Sequence, residues 1–400
     1  MKYFRTLLLL FTAPIAIVGC SNVGFQSIPK QSCSSGNYSS GTSCTVQGQN
    51  LNYSFTFQTG DVDILFVDDN SGSMYKIQTG IASAFSNFLA SISNLNYQIA
   101  VVTTDISTSI NPVTGQVDPL NAANGNGAFQ DGKFLEFTDT SGNPSGDYVL
   151  TPSTPNANDL FAGTIQRQET LNCENSDFSP NDCPSDVPRG IYAVNDAINR
   201  DQNNFFRPGA PLAVVVVSDS DECENGVSPE NCGSDYLNDE PATLVQNMAS
   251  KFPTQSFSVN SIVVPNVQCV QANTVTNPNG IETWGIIGTT YMDLSQANSS
   301  LTSLGNIVPG DVGDICLDSS PYYQSYSQQL SNIGSLVAQH TQNNPIQLAC
   351  TPDPKTISIS TSPAQYMSQI SYSIDSQNRV TFSNIPLGVQ VTFSYECPRY

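Results

Sequence analysis

The sequence predicts an α/β protein: a doubly wound, mostly parallel sheet with long inserts, followed by a small antiparallel β module. Three observations carry this. Apolar runs of strand length recur at Val62–Asp68, Tyr97–Asp105, Leu212–Asp219 and Phe257–Val264, and Leu212–Val217 is hydrophobic throughout, as a strand covered on both faces must be. Helical spacing appears between them, most clearly in Ile77, Ile81, Ala84, Phe85, Phe88 and Ile92. A helix joining two such strands makes them parallel and brings their carboxyl ends to one rim. From Pro345 the pattern changes to alternation, in Thr356–Ser360, Ile370–Ile374, Arg379–Phe382 and Val389–Tyr395, with turn chemistry between them.

Taken in order, the chain opens with Lys2 and Arg5, the apolar run Leu7–Phe11, and Ile17-Val18-Gly19-Cys20. This resembles a bacterial lipoprotein signal peptide over residues 1–19, with Cys20 as the acylated residue. The apolar run is too short to span a bilayer, so the resemblance implies attachment to the cell envelope, at the outer membrane, through lipid alone. Residues 20–60 read as a Ser/Gly/Asn-rich tether ending in a strand, whose Leu51, Tyr53, Phe55 and Phe57 share one face.

Val62–Asp68 then runs into Asp69-Asn70-Ser71-Gly72-Ser73-Met74. The Ser-Gly-Ser turn lets Asp69, Ser71 and Ser73 converge beyond the strand's carboxyl end, where open α/β sheets place their sites. All three offer oxygen, the ligand type of a hard cation such as Mg²⁺, with Mn²⁺ or Ca²⁺ as variants. The stretch resembles the Asp-x-Ser-x-Ser motif of the metal-ion-dependent adhesion site in von Willebrand factor type A domains; the resemblance covers residues 61–340 with the inserts unmatched, within a domain expected over 61–344. It implies a divalent cation held by Asp69, Ser71, Ser73 and Asp219, with one position open to a carboxylate of a protein ligand. The family also supplies a threonine shortly before the next helix. The corresponding stretch here is Ser185-Asp186-Val187-Pro188-Arg189-Gly190, which makes Asp186, or Ser185, the expected substitute.

Two inserts interrupt the domain, at 106–186 and 220–239. The first has no strong period; short strands are expected at Phe134–Phe137 and Tyr148–Leu150, and a helix around Leu160–Gln168. Connections in such units usually run about 2–6 residues, so an insert of this length at the rim is expected to govern partner choice and to be exchangeable for a short bridge. Helices follow at Pro188–Ile198, near Ala242–Lys251, near Leu294–Leu304 and around Tyr326–Val337. Residues 345–400 form the β module.

The 11 cysteines, less Cys20, fall into neighbouring couples: Cys33/Cys44, Cys173/Cys183, Cys223/Cys232, Cys269/Cys316 and Cys350/Cys397. Five disulfides in an oxidising compartment are expected. With 34 acidic against 13 basic residues, a nucleic-acid partner is excluded, because phosphate contacts need Lys and Arg. His340 is the single histidine, and neither a Gly-x-Ser-x-Gly elbow nor a Gly-Lys-Ser/Thr phosphate cradle occurs, so no enzymatic activity is expected. Two functions remain in view: cation-dependent binding of a protein ligand, and an envelope scaffold in which the metal turn is structural only.

Overall fold

The computed structural model describes residues 33, 42–109, 131–167, 170, 187–207, 209–224, 226–252, 255–272, 274–277, 280–283, 285–316, 325–342, 345–386 and 388–398. The expectations for residues 1–20, for Cys173 and Cys183, and for Ser185 and Asp186 lie outside the described residues. Strands β1 (Ser43–Gln47) and β2 (Asn50–Gln58) come first. Gly60, at φ 88°, then turns the chain into β3 (Asp61–Asp68), a backbone state that a side chain would strain. Next come α1 (Tyr75–Ser91), β4 (Asn96–Thr103), α2 (Ala157–Ile165), α3 (Gly190–Arg200) and β5 (Leu212–Val217). The α/β part closes with α4 (Pro241–Lys251), β6 (Phe257–Val263), α5 (Thr289–Gln296), β7 (Ile307–Val308), β8 (Val312–Asp314) and α6 (Tyr326–Gln342).

The central sheet has the order β8-β6-β5-β3-β4, with β7 also paired to β6, and every pairing in it is parallel. Alternate residues of its strands face opposite helical layers. Ile64, Phe66, Val215 and Val217 pack with α1, α2 and α6, while Leu65, Val67, Val214 and Val216 pack with α3, α4 and α5. This is a doubly wound α/β fold with a parallel central sheet, as expected. The helix marked by the spacing of Ile77 to Ile92 begins at Tyr75, directly after the tight 3₁₀ turn Gly72–Met74.

The first insert departs from its expected role as a separable loop. Parts of residues 131–167 are packed into the core, with 140–147 left on the surface. The Leu135 amide donates to the Val101 carbonyl at 2.9 Å, and Ile99 and Leu150 exchange backbone hydrogen bonds of 2.8 and 2.9 Å along the free edge of β4. In place of two continuous strands, the segment makes these isolated bridges. α2 starts three residues before Leu160 and lays Phe161 between Phe85, stacked at 3.5 Å, and Phe66, edge-on at 4.9 Å. A Cβ at Gly163 would collide with the Asp139 carbonyl, so α2 and the 138–139 backbone touch directly. Weak periodicity hid a real apolar contribution: Phe134, Leu135, Phe137, Leu150, Phe161 and Ile165 are all buried.

The second sheet joins the two ends of the chain. After β9 (Ile346–Gln347), β10 (Ser358–Ser362), β11 (Ser371–Ile374), β12 (Arg379–Ser383) and β13 (Gln390–Pro398), the order is β1-β2-β13-β10, with β9-β12-β11 as a second layer. β2 and β13 pair antiparallel from Asn50↔Pro398 to Gln58↔Gln390. The amino-terminal strand expected at the end of a tether is therefore a central strand of the carboxy-terminal β unit. Its alternating face (Leu51, Tyr53 and Phe55) is buried against Phe382, Val391 and Phe393. Disulfides join Cys33–Cys44, Cys223–Cys232, Cys269–Cys316 and Cys350–Cys397. No helix among the described residues is long and apolar enough to cross a membrane.

Candidate metal centre

β3 and β5 end side by side, with Asp68 opposite Val217. One residue further, the Asp69 amide donates to the Val217 carbonyl at 3.0 Å and the Ser218 amide to the Ile262 carbonyl at 3.2 Å. The same register brings the next two side chains together, and the Ser218 hydroxyl donates to Asp69 Oδ2 at 2.6 Å. Asp69 Oδ1 accepts the Ser71 amide at 3.0 Å, an Asx turn that bends the chain sharply off the strand. The Ser71 and Ser73 hydroxyl oxygens then lie 3.3 Å apart. Neighbouring ligands of an octahedral ion with bonds of about 2.1 Å stand about 3 Å apart, so this pair suits two corners of one coordination sphere. Asp219 follows Ser218 at the end of β5, its side chain buried and its carbonyl accepting the Ile286 amide at 2.7 Å. Asp69, Ser71 and Asp219 are buried, whereas Ser73 is exposed. The donor set is oxygen throughout, which fits Mg²⁺, Mn²⁺ or Ca²⁺ and lacks the nitrogen and sulfur that zinc prefers.

Asp68 points the other way, toward α1. Its Oδ2 pairs with Arg167 at the end of the first insert and accepts from Gln78 Nε2 at 2.9 Å. Burial, set against the Arg167 charge, pushes the Asp68 carboxyl up to about 7. Gln78 also reaches the Asp69 carbonyl at 3.2 Å and the Thr170 hydroxyl at 3.4 Å. Thr170 in turn donates to the Asn70 carbonyl at 3.1 Å. Sequence reasoning had found no threonine before α3 and missed this one, because residues 171–189 separate it from the helix. Treating the Cys173/Cys183 couple as an insertion, and reading across it, would have brought Thr170 next to α3.

A second buried polar cluster, also unforeseen, ties the second insert to α3. Glu222 accepts from the Ile191 amide at 3.0 Å and the Tyr192 amide at 3.3 Å, capping the helix with a carboxyl group. Arg189 forms a two-pronged pair with Asp239 at 2.8 and 2.6 Å and reaches Asp235 at 3.1 Å. The Tyr291 hydroxyl accepts from the Gly190 amide at 3.2 Å and donates to Glu222. Burial first, and the neighbouring Asp239 second, raise the Glu222 carboxyl well above its ordinary range. Cys223, Cys232 and Asp239 also lie close together, but the two sulfurs are joined to each other and offer no thiolate to a metal.

No protein-family model matches the chain, and no curated protein matches it. Among solved structures it is similar to proximal thread matrix protein 1 from the mussel byssus, at 12% identity and a TM-score of 0.30, over 71% of this chain and 48% of that one. A second crystal form of that protein, and a structure of it with a zinc-occupied MIDAS motif, match at 13% identity with the same TM-score and coverage. The chain thus spans about half the length of these distant structural relatives.

Proposed function

We propose that this chain is a lipid-anchored bacterial envelope protein of the von Willebrand A type, whose cation site binds a protein ligand through one of that ligand's carboxylates. The observation that carries the proposal is the convergence of Asp69, Ser71 and Ser73 at the rim, with Ser218 against Asp69 and Asp219 next in the chain after Ser218. Asp69, Ser71, Ser73 and Asp219 would hold the cation, and Thr170 adds a hydroxyl next to the turn. Bound there, the ion supplies an electrophilic position for an acidic group. Alanine at Asp69 or Asp219 is expected to weaken Mn²⁺ binding at least about tenfold in calorimetry. Capture of an envelope protein by the full chain should be lost on adding EDTA while circular dichroism stays unchanged. Unchanged Mn²⁺ affinity in both variants would remove the site assignment.

The burial of Asp69 and Asp219 favours a second reading, an envelope scaffold in which the turn only stabilises the fold. On that reading EDTA lowers the unfolding temperature and leaves partner capture intact. Anchoring has its own test: Cys20→Ser should release the protein from the membrane fraction, and retention there would end the lipoprotein assignment.

A further inference from the structure

Taking Asp69 as a cation ligand, as proposed above, we infer that Ser218 decides which cation the site accepts. It holds Asp69 as a one-oxygen ligand and thereby favours Mg²⁺ and Mn²⁺ over Ca²⁺.

Ser218 is fully buried at the end of β5. Its hydroxyl oxygen receives the Ser220 amide at 3.1 Å, which occupies one lone pair and orients the group. The single hydroxyl proton has two acceptors within reach, Asp69 Oδ2 at 2.6 Å and the Ser220 carbonyl at 3.0 Å. The shorter contact, to a carboxylate, is the stronger one. Asp69 Oδ1, by contrast, faces the turn, where it accepts the Ser71 amide. The two oxygens of one carboxylate are therefore committed to different sides: Oδ1 to the Ser71–Ser73 turn and Oδ2 to β5.

That division matters because hard cations use carboxylates differently. Mg²⁺ demands near-ideal octahedral geometry at about 2.0–2.1 Å and takes single oxygens. Ca²⁺ accepts six to eight oxygens at about 2.3–2.6 Å and readily takes both oxygens of one carboxylate. A two-oxygen clamp from Asp69 would pull Oδ2 away from Ser218 and leave that hydroxyl only the longer bond to the neutral Ser220 carbonyl, exchanging a charge-assisted hydrogen bond for a weaker one. A one-oxygen bond through Oδ1 leaves the Ser218 contact intact. Ser218 thus acts through Asp69 as a positioning residue, penalising the coordination mode that calcium uses.

The test is titration calorimetry of the full chain, stripped with chelator and dialysed, against MgCl₂, MnCl₂ and CaCl₂ separately. Wild type should bind Mg²⁺ and Mn²⁺ more tightly than Ca²⁺. In Ser218→Ala the ratio of Mg²⁺ to Ca²⁺ affinity should fall about tenfold, the usual scale for losing a group that orients a metal ligand. Ser218→Thr, which keeps the hydroxyl, should restore the ratio, and thermal unfolding of the stripped proteins shows that each variant is folded. A uniform loss for all three ions, with the ratio unchanged, would overturn the inference and leave the cation site standing. Binding of all three ions to Asp69→Ala at wild-type affinity would overturn the site and the inference together.

Discussion

Phe161→Ala is expected to destabilise the protein by about 3–5 kcal/mol in urea unfolding, the range for emptying a buried aromatic site. Phe161 lies in the first insert, at its contact with Phe85 and Phe66, and its side chain is fully buried. Were the insert a spacer hung on the sheet edge, the same change would fall within about 0.5 kcal/mol, as surface substitutions do. A loss that small would contradict the packing described here. The result also bears on engineering. Removing residues 110–170 would take away Phe161, the Arg167 partner of Asp68 and Thr170, so the Asp69–Ser73 turn would lose its support along with the insert.

Arg189→Met is expected to cost about 3–5 kcal/mol, because it strands the buried Asp239 carboxylate without its guanidinium partner. The same cluster should make stability fall with rising pH. Glu222 is buried beside Asp239, and burial first and the Asp239 charge second raise its carboxyl well above the ordinary range. Arg189, Asp235 and Tyr291 face the pair from the residue before α3, the second insert and α5. Because burial and Asp239 raise the Glu222 pKa in the folded state, the native protein keeps a proton that the unfolded chain releases. The stabilisation from that proton is complete below the unfolded value of about 4.3 and is lost as pH rises toward the folded value. Glu222→Gln mimics the protonated form, so its stability curve above about pH 4.5 should be flatter than wild type. The difference is at most about 1.4 kcal/mol per pH unit for a single proton. Parallel curves, measured in EDTA to remove metal effects, would show that Glu222 does not hold the proton.

The central sheet was legible because its signals are local. Val62–Asp68 and Leu212–Val217 are continuous apolar runs, and each meets its acid within two residues of the strand end. Asp69, Ser71 and Ser73 could be singled out because three oxygen-bearing side chains sit inside five residues. Thr170 could not, since its approach to Asn70 depends on a path of 100 residues and not on spacing. The β2–β13 ladder was invisible for a similar reason. Alternation in Leu51–Phe57 identified a strand and its buried face, but nothing local names a partner more than 300 residues away. The insert failed differently: Phe134, Phe137, Leu150 and Phe161 bury themselves one or two at a time from bridges and a short helix, which leaves no period to detect. Ser218 and Glu222 look like ordinary polar residues after a strand, and only the packing shows what each one holds.

On the function proposed above, with an anchor at Cys20 and a ligand on the Asp69–Ser73 turn, the hairpin of β1 and β2 has a mechanical consequence. Tension travelling up the chain crosses the Cys33–Cys44 bond and enters β1 at Cys44. It leaves β2 through Gly60 into β3. Cys44 pairs with Tyr53 and Gln47 with Asn50, so entry and exit lie at the same open end of the hairpin. Pulling there separates the strands one pair at a time, starting at Cys44, whereas β2 stays held by its nine pairs with β13. β2 and β3 are already extended and have little length to give. Under load, β1 is the piece that yields, lengthening the attachment while the sheet carrying the cation turn keeps its shape.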